Sequence, residues 1–269
     1  MTKTFIVGIL NTTPDSYFDG GKFESIESAV KRAGEMLEEG ADIIEIGGES
    51  TGPGSKEVSE EEETSRTIEI IKAIKEKYPE AKLSIDTYKS SVAKLSIDAG
   101  VAMVNDVTAG RGDPKMFQVI SNSDVKYVIM FSKDEIARTT INNTQYDDVT
   151  ATIKKFLNDR MEIAIKSGVS KDSIILDPSL GHFVSSDSKY SFEIIKNLNQ
   201  FKKLGCPIFV SPSRKSFLAG SENLPTKDRL PSTIVSSAIA VLNGATYIRT
   251  HDVAEVRRGC EMASYFLDQ

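Results

Sequence analysis

Two sets of polar side chains in this sequence each follow short apolar runs and could bind a charged or hydrogen-bonding ligand. The first set carries cationic or amide groups that suit an anion such as phosphate: Asn11, Lys215, Arg249 and His251. The second set offers oxygens that suit a ring presenting N–H donors: Asp86, Asn105 and Asp177. Buried carboxylates and amides need such donors directed at them. Together the two sets indicate a site for a ring and an anionic group.

Each of these residues also has a structural explanation when it is considered alone. An Asp or Asn after a strand most often caps a helix or closes a turn, and Asp177 precedes Pro178. The adjacent Arg214 and Lys215 could be solvated surface charges, and a lone histidine is more often structural than functional. The structural explanation weakens because polar groups follow seven of the eight apolar runs. Only the run ending in VIMFSKD offers mainly apolar groups.

Several other kinds of chemistry lack their sequence motif. There is no HExxH and no His/Cys cluster, and the Gly-rich stretch GGESTGPG matches neither GxGxxG nor GxxxxGK[ST]. No Ser-His-Asp arrangement is indicated. A reactive thiol is not indicated either, because Cys206 is predicted inside a strand and Cys260 on the last helix, both buried.

Length and charge narrow the class of protein. The chain has 269 residues, 39 acidic and 33 basic, and its net charge is −6. With 39% hydrophobic residues the composition is that of a globular protein, and the acidic excess argues against nucleic acid or an anionic membrane as a partner. No run approaches the roughly 18 apolar residues of a membrane span, and MTKTFIVGIL leads into a strand-like run without a secretory leader. We therefore expect a cytoplasmic protein.

The elements that must position these side chains alternate between strands and helices. Strands are predicted at residues 4–10, 42–46, 82–85, 102–104, 126–130, 173–176, 207–210 and 246–248. Helices are predicted at residues 26–40, from Ser59 onward, and at 147–168, 188–205 and 228–244. Eight units of about 34 residues predict an α/β fold with a single domain spanning residues 1–269. They favour a (β/α)8 TIM barrel rather than a doubly wound sheet. The carboxyl ends of barrel strands share one rim, so the two sets should meet there.

Six stretches of the chain resemble the dihydropteroate synthase family of pterin-binding (β/α)8 barrels. They follow the family order and read GILNTTPDSYFDGG, IEIGGESTGPGS, SIDTYKSSVAKLSIDAGVAMVNDVTAG, IILDP, PSRKSF and GATYIRTHDV. The resemblance implies a transferase of folate biosynthesis. It would condense 6-hydroxymethyl-7,8-dihydropterin pyrophosphate with p-aminobenzoate to give 7,8-dihydropteroate and pyrophosphate. Mg²⁺ is the cofactor that the resemblance implies.

The resemblance also implies roles for individual residues. The positions that match the pterin-binding set are Asp86, Asn105, Asp177 and Lys215. The positions that match the pyrophosphate site are Asn11, Arg249 and His251, with Asn11 also a magnesium ligand. Ser216 matches the residue that meets the p-aminobenzoate carboxylate, and the loop positions are Asp19, Thr51 and Pro53. The expected catalytic residues are Lys215, Arg249, His251 and Asp19.

The departures from the family pattern lie on the side of the second substrate. Gly52 replaces an arginine of the STRPG motif, and His182 replaces a Phe expected to pack on the aminobenzoate ring. Losing that aromatic face forfeits about 0.5–1.5 kcal/mol, and losing a desolvated guanidinium about 1.5–3 kcal/mol. We therefore expect p-aminobenzoate and sulfonamides to bind about one to three powers of ten more weakly. The alternative is that His182 contacts the substrate, since imidazole can also stack on a ring, and that it compensates for these losses together with other loop residues.

Two other functions stay open on the sequence. One is a pterin-binding homologue without synthase activity. The other, less favoured, is a relative of the methyltetrahydrofolate–corrinoid methyltransferases, which lack the TPDSxxDGG loop and the SRK and RxHDV residues.

The last helices predict a homodimer. The segment STIVSSAIAVL, residues 232–242, is apolar around more of its circumference than one core-facing stripe requires. A second buried surface would account for this.

Overall fold

The computed structural model describes residues 3–12 and 26–267 and contains one sheet of eight parallel strands. The strands are β1 Phe5–Asn11, β2 Ile43–Gly47, β3 Leu83–Asp86, β4 Met103–Asp106, β5 Lys126–Met130, β6 Ile174–Asp177, β7 Phe209–Val210 and β8 Tyr247–Thr250. Their order in the sheet is β6-β5-β4-β3-β2-β1-β8-β7. A single bridge between Leu176 and Ile208 joins the two ends. The predicted single-domain (β/α)8 TIM barrel is confirmed.

Helices connect successive strands and cover the outside of the barrel. They are α1 Ile26–Glu38, α2 Glu60–Lys77, α3 Ser90–Asp98, α4 Met116–Ser121, α5 Val149–Lys166, α6 Ser188–Lys196, α7 Leu198–Phe201, α8 Leu230–Leu242 and α9 Val253–Tyr265. Among the residues described, no helix combines the length and apolarity that a membrane crossing would require.

Local sequence explains where the helices begin and end. Ser59 caps α2, because its hydroxyl accepts the backbone N–H of Glu62 at 3.1 Å. The first turn of α2 is acidic, which favours a helix N-terminus. Asp148 caps α5 in the same way through the N–H of Ala151 at 2.8 Å. After α1 the chain turns at Gly40, whose φ of +97° suits glycine.

The predicted bounds differ from the structure in two instructive places. The helix predicted over residues 188–205 is interrupted at Asn197, whose side chain donates to Thr150 Oγ1 at 3.4 Å. The predicted strand 207–210 is only Phe209–Val210, because Pro207 has no N–H for the ladder. Cys206 was predicted inside a strand, but it lies before β7. It is buried, as predicted.

The alternation of side chains along the strands places the polar residues. A cluster of apolar side chains, contributed by strands alone, fills the barrel interior: Val7, Ile43, Met103, Val128, Ile175 and Phe209, with Tyr247 against it. Side chains two or four positions further along a strand point to the same side. Asn105, Asp177 and Arg249 each lie two residues beyond a member of this layer. The interior layer therefore forms the floor under the polar rim.

Candidate active site

A cavity of about 470 Å³ opens at the carboxyl ends of the strands. The predicted site residues that line it are Asn11, Thr51, Pro53, Asp86, His182, Lys215, Ser216, Arg249 and His251. Asn105 and Asp177 are buried at the ends of β4 and β6 and are not among the lining residues. Asp19 lies outside the described residues.

Arg249 is held between two carboxylates at the centre of the cavity. Its Nη2 donates to Asp86 Oδ2 at 2.8 Å, and its Nε donates to Glu45, which is fully buried in β2. Burial alone would lower the pKa of Arg249, but Glu45 and Asp86 outweigh it and raise that pKa. The guanidinium thus stays charged and fixed in direction. Glu45 is not among the site residues predicted from the sequence, although it lies two residues beyond the interior residue Ile43 and so shares its face.

Two buried carboxyl groups titrate close to neutral pH. Burial raises the pKa of Asp86 to about 7; the charge of Arg249 opposes this rise. Burial likewise raises the pKa of Asp177 to about 6, opposed by the charge of Lys215 and by the Ser179 N–H, which donates to Oδ1 at 2.7 Å. Both groups would gain from ligand donors that favour the ionised form.

Asn105 has an unused acceptor beside these acids. Its Oδ1 is buried and has no hydrogen-bond partner in the part of the chain that the structure describes. A buried amide oxygen left without a donor is unfavourable by about 1–3 kcal/mol. A ligand N–H would supply the missing donor, which fits the expectation for this residue.

Lys215 lies against the wall of the cavity with its charge largely desolvated. Its Nζ donates to the carbonyl of Leu180 at 3.0 Å and lies 5.6 Å from the ring centroid of Phe183. Burial lowers the pKa of Lys215 to about 8, and the carboxylate of Asp177 partly offsets that effect. At neutral pH the ammonium group is therefore protonated.

Arg214 is a buried structural residue, not the solvated surface charge that the sequence allowed. Its guanidinium makes two bonds to Asp252, Nε at 2.8 Å and Nη2 at 2.6 Å, and Nη1 donates to the carbonyls of Thr226 and Lys227. Its φ of +52° is in the left-handed region, an unusual conformation for a non-glycine residue. These contacts fix the backbone that carries Lys215.

Hydrogen bonds around Ser213 determine the tautomer of His251. The Ser213 hydroxyl accepts the backbone N–H of His251 at 3.1 Å and the Thr250 hydroxyl at 3.4 Å. Both lone pairs are then used, so the Ser213 hydrogen goes to His251 Nδ1, 2.9 Å away. Burial lowers the pKa of His251 to about 4, so the ring is neutral at pH 7 and carries its proton on Nε2. Ser213 is not among the site residues predicted from the sequence, because no motif spacing signals its hydrogen bonds to His251.

The loop after β5, residues 131–147, contributes more polar contacts than its sequence suggested. Lys133 donates to the carbonyl of His182 at 2.7 Å and to Asp134 at 2.7 Å. The N–H of Thr139 donates to the carbonyl of Thr51 at 3.1 Å, and Thr139 lines the cavity. Of this loop, Thr139 and Ile141 line the cavity, one polar and one apolar.

An arginine side chain contacts the loop after β2, although Gly52 of that loop replaces the arginine of the family pattern. Arg138, from the loop after β5, forms an ion pair with Glu49 and donates to the carbonyl of Lys56 at 3.1 Å. Glu49 is also paired with Lys89, and both are nearly inaccessible to solvent. The ion pair of Arg138 with Glu49 therefore stabilises the loop after β2 from a different part of the chain.

The described residues do not form a preassembled metal site. No group of three or more His, Cys, Asp or Glu side chains among them could hold an ion. Asn11 ends β1 and brings its amide to the cavity wall. One amide oxygen fits Mg²⁺ that arrives with substrate phosphates and keeps most of its water, and does not fit a resident ion.

Known proteins are similar to this chain in both sequence and structure. Residues 7–251 match the model of a family described as pterin binding enzyme. The dihydropteroate synthase of Clostridium beijerinckii is 41% identical over 97% of this chain and 93% of its own length. The crystal structure of Yersinia pestis dihydropteroate synthase with a sulfonamide drug complex has a TM-score of 0.93, at 30% identity over 99% of this chain and 95% of that one. The Clostridium difficile dihydropteroate synthase, solved in the presence of pteroic acid, has a TM-score of 0.90, at 39% identity over 99% and 98%.

Proposed function

The chain belongs to the family of pterin-binding enzymes and catalyses the dihydropteroate synthase reaction, and we propose that the reaction takes place in the cavity at the carboxyl ends of the strands. The single observation that carries this proposal is the position of the Arg249 guanidinium. Its charge is fixed between Glu45 and Asp86, in a cavity that Lys215 and His251 also line. Such a cavity offers cations for a diphosphate next to acceptors for a ring with N–H donors.

The pterin ring is bound by the buried acceptors. Asp86 and Asp177 would accept ring N–H groups, and Asn105 would gain the donor that its Oδ1 lacks. The reaction breaks the bond between the pterin methylene carbon and the diphosphate oxygen, which leaves positive charge spread over the pterin. Two carboxylates next to the ring stabilise that charge as it develops.

The leaving diphosphate is bound by donors at the carboxyl ends of β1 and β8. Arg249 supplies a permanent charge, and His251 supplies a neutral Nε2–H donor because Ser213 occupies its Nδ1. Asn11 would be a ligand of Mg²⁺, which when bound neutralises charge on the diphosphate. Neutralising the leaving group is the main requirement of this step.

The amine of p-aminobenzoate then forms the new C–N bond to the methylene carbon, and the resulting ammonium group gives its proton to water or to the departing diphosphate. No strong base is needed, because the acceptor of the amine is already cationic. Ser216 lies at the cavity mouth, where its hydroxyl would meet the aminobenzoate carboxylate. Thr51 and Pro53 line the same wall and would exclude water from the cation.

A homodimer through the last helices and a cytoplasmic location also belong to this proposal. Val235 and Ile239 on α8 are 57% and 42% exposed, and Met262 on α9 is 59% exposed. This apolar surface is a candidate for burial between two copies. Cys206 and Cys260 are both free thiols, which suits a reducing compartment.

A direct assay tests the function. The purified protein is incubated with the pterin diphosphate, p-aminobenzoate and Mg²⁺, and both dihydropteroate and pyrophosphate are measured. We expect equal amounts of the two products, and turnover at least about 100-fold lower after Arg249→Ala. Binding of the pterin diphosphate without product would instead identify a pterin-binding homologue without synthase activity.

A further inference from the structure

The cavity wall contains a hydrogen-bonded pair, Ser216 and His182, of which only Ser216 has a role in the proposed reaction. His182 Nε2 lies 3.1 Å from Ser216 Oγ, and both side chains line the cavity. His182 comes from the turn after β6, and Ser216 follows the buried Arg214 after β7. Two separate loops therefore place an imidazole next to a hydroxyl at the mouth of the site.

The other ring nitrogen of His182 determines where its proton lies. Nδ1 is buried and has no hydrogen-bond partner within residues 3–12 and 26–267. A proton there would be a buried N–H without an acceptor, whereas a bare nitrogen leaves only an unused lone pair. Burial together with the charges of Lys133 and Lys215 lowers the pKa of His182, so the ring holds a single proton at neutral pH. That proton belongs on Nε2.

With its proton on Nε2, His182 donates to Ser216. The Ser216 oxygen accepts this bond, and its own hydrogen must point elsewhere. No other side chain in the described part of the chain lies within hydrogen-bond distance of this hydroxyl. Because Ser216 is exposed, the hydroxyl hydrogen is donated to water until a ligand in the cavity replaces that water.

We propose that His182 is a positioning residue that orients the Ser216 hydroxyl to donate to the carboxylate of the second substrate, and so selects an acidic arylamine over an uncharged one. This inference rests on the proposed function, since it needs p-aminobenzoate at the mouth of the cavity. The pair strengthens one hydrogen bond and leaves the pterin side unchanged. Lys133 supports the pair by holding the His182 carbonyl at 2.7 Å.

A matched pair of substitutions separates hydrogen bonding from ring stacking. His182→Phe keeps an aromatic ring and removes the donor. His182→Gln removes the ring and keeps an N–H close to the position of Nε2. The two acceptors compared are p-aminobenzoate and its uncharged amide, 4-aminobenzamide.

We expect His182→Phe to raise the KM for p-aminobenzoate about tenfold, the loss of roughly one hydrogen bond to a charged group. The KM for 4-aminobenzamide and for the pterin diphosphate should change less than about twofold. His182→Gln should recover most of the loss. In a Ser216→Ala background the His182→Phe substitution should have no further effect, because the two residues act through one bond.

The results that would overturn the inference are equally definite. An H182F variant that binds both acceptors more tightly would favour ring stacking, and equal losses for the acid and the amide would show a merely structural role. Wild-type protein that makes no dihydropteroate would refute the proposed function. The dissociation constant of p-aminobenzoate, measured by calorimetry with pyrophosphate present, tests the pair independently of turnover.

Discussion

Replacing Lys215 by arginine should remove the alkaline limb of the pH–rate profile. Burial lowers the pKa of Lys215 to about 8, which is below its usual value. The ammonium group is therefore charged at pH 7 and loses its proton as the pH rises through 8. At pH 9 about one molecule in ten keeps the charge, so kcat/KM should fall about tenfold for each further pH unit. Arginine stays protonated throughout this range.

The assay is kcat/KM for the pterin diphosphate between pH 6 and 10, with p-aminobenzoate saturating. Lys215→Arg should lower the plateau, because the geometry changes, yet its profile should stay flat above pH 8. Lys215→Ala should lower the rate about 100-fold at pH 7, equivalent to about 2.7 kcal/mol. The control is Lys94→Arg on the exposed face of α3, where Lys94 pairs with Asp98. An unchanged alkaline limb in the Lys215→Arg variant would show that another group titrates there and would refute the reasoning.

Three further substitutions test the remaining proposals. Arg249→Ala should lower kcat/KM at least about 100-fold. It should also destabilise the fold to urea by about 3 kcal/mol, since Glu45 is left buried without its cation and with only the Ser84 hydroxyl, at 3.3 Å, as a partner; an unaltered urea midpoint would contradict the ion pair. Ser213→Ala should shift the ¹⁵N resonances of His251, one of only two histidines, toward a mixture of tautomers and lower kcat about tenfold. Unshifted resonances would show that Ser213 does not set the tautomer. Val235→Glu should give a monomeric mass by light scattering at tens of micromolar if wild-type protein is a dimer, and identical masses would count against the α8 interface.

The strands and their polar ends were predictable because a buried parallel strand reads as a short apolar run, and the two-residue alternation along it determines which side chains face the interior. Asp86 and Asp177 end their strands in the structure and follow apolar runs in the sequence, so local pattern and fold agree. Glu45 was predictable in principle from the same alternation. It was overlooked because it lies inside a strand, not after one.

The contacts between loops could not be read from the sequence. Arg138 and Glu49 are 89 positions apart in the chain and meet only because the barrel brings the loops after β2 and β5 together. The hydrogen bond between His182 and Ser216 depends in the same way on two turns of different strands. The expected weakening of p-aminobenzoate and sulfonamide binding stays a prediction, and the proposed pair of His182 and Ser216 favours the compensation that the sequence also left open.

The joint between β6 and β7 has a consequence for the motion of the barrel. It consists of one bridge, Leu176 to Ile208, in which the N–H of Leu176 donates to the carbonyl of Pro207 at 2.9 Å. Neighbouring strands are joined by longer ladders, so the barrel should open most readily here, and the Leu176 amide should exchange with solvent deuterium early. Asp177 and Lys215 lie on opposite sides of this joint. A ligand that binds both residues would hold β6 and β7 together. Slower deuterium exchange of the Leu176 amide would then show that the pterin site is occupied.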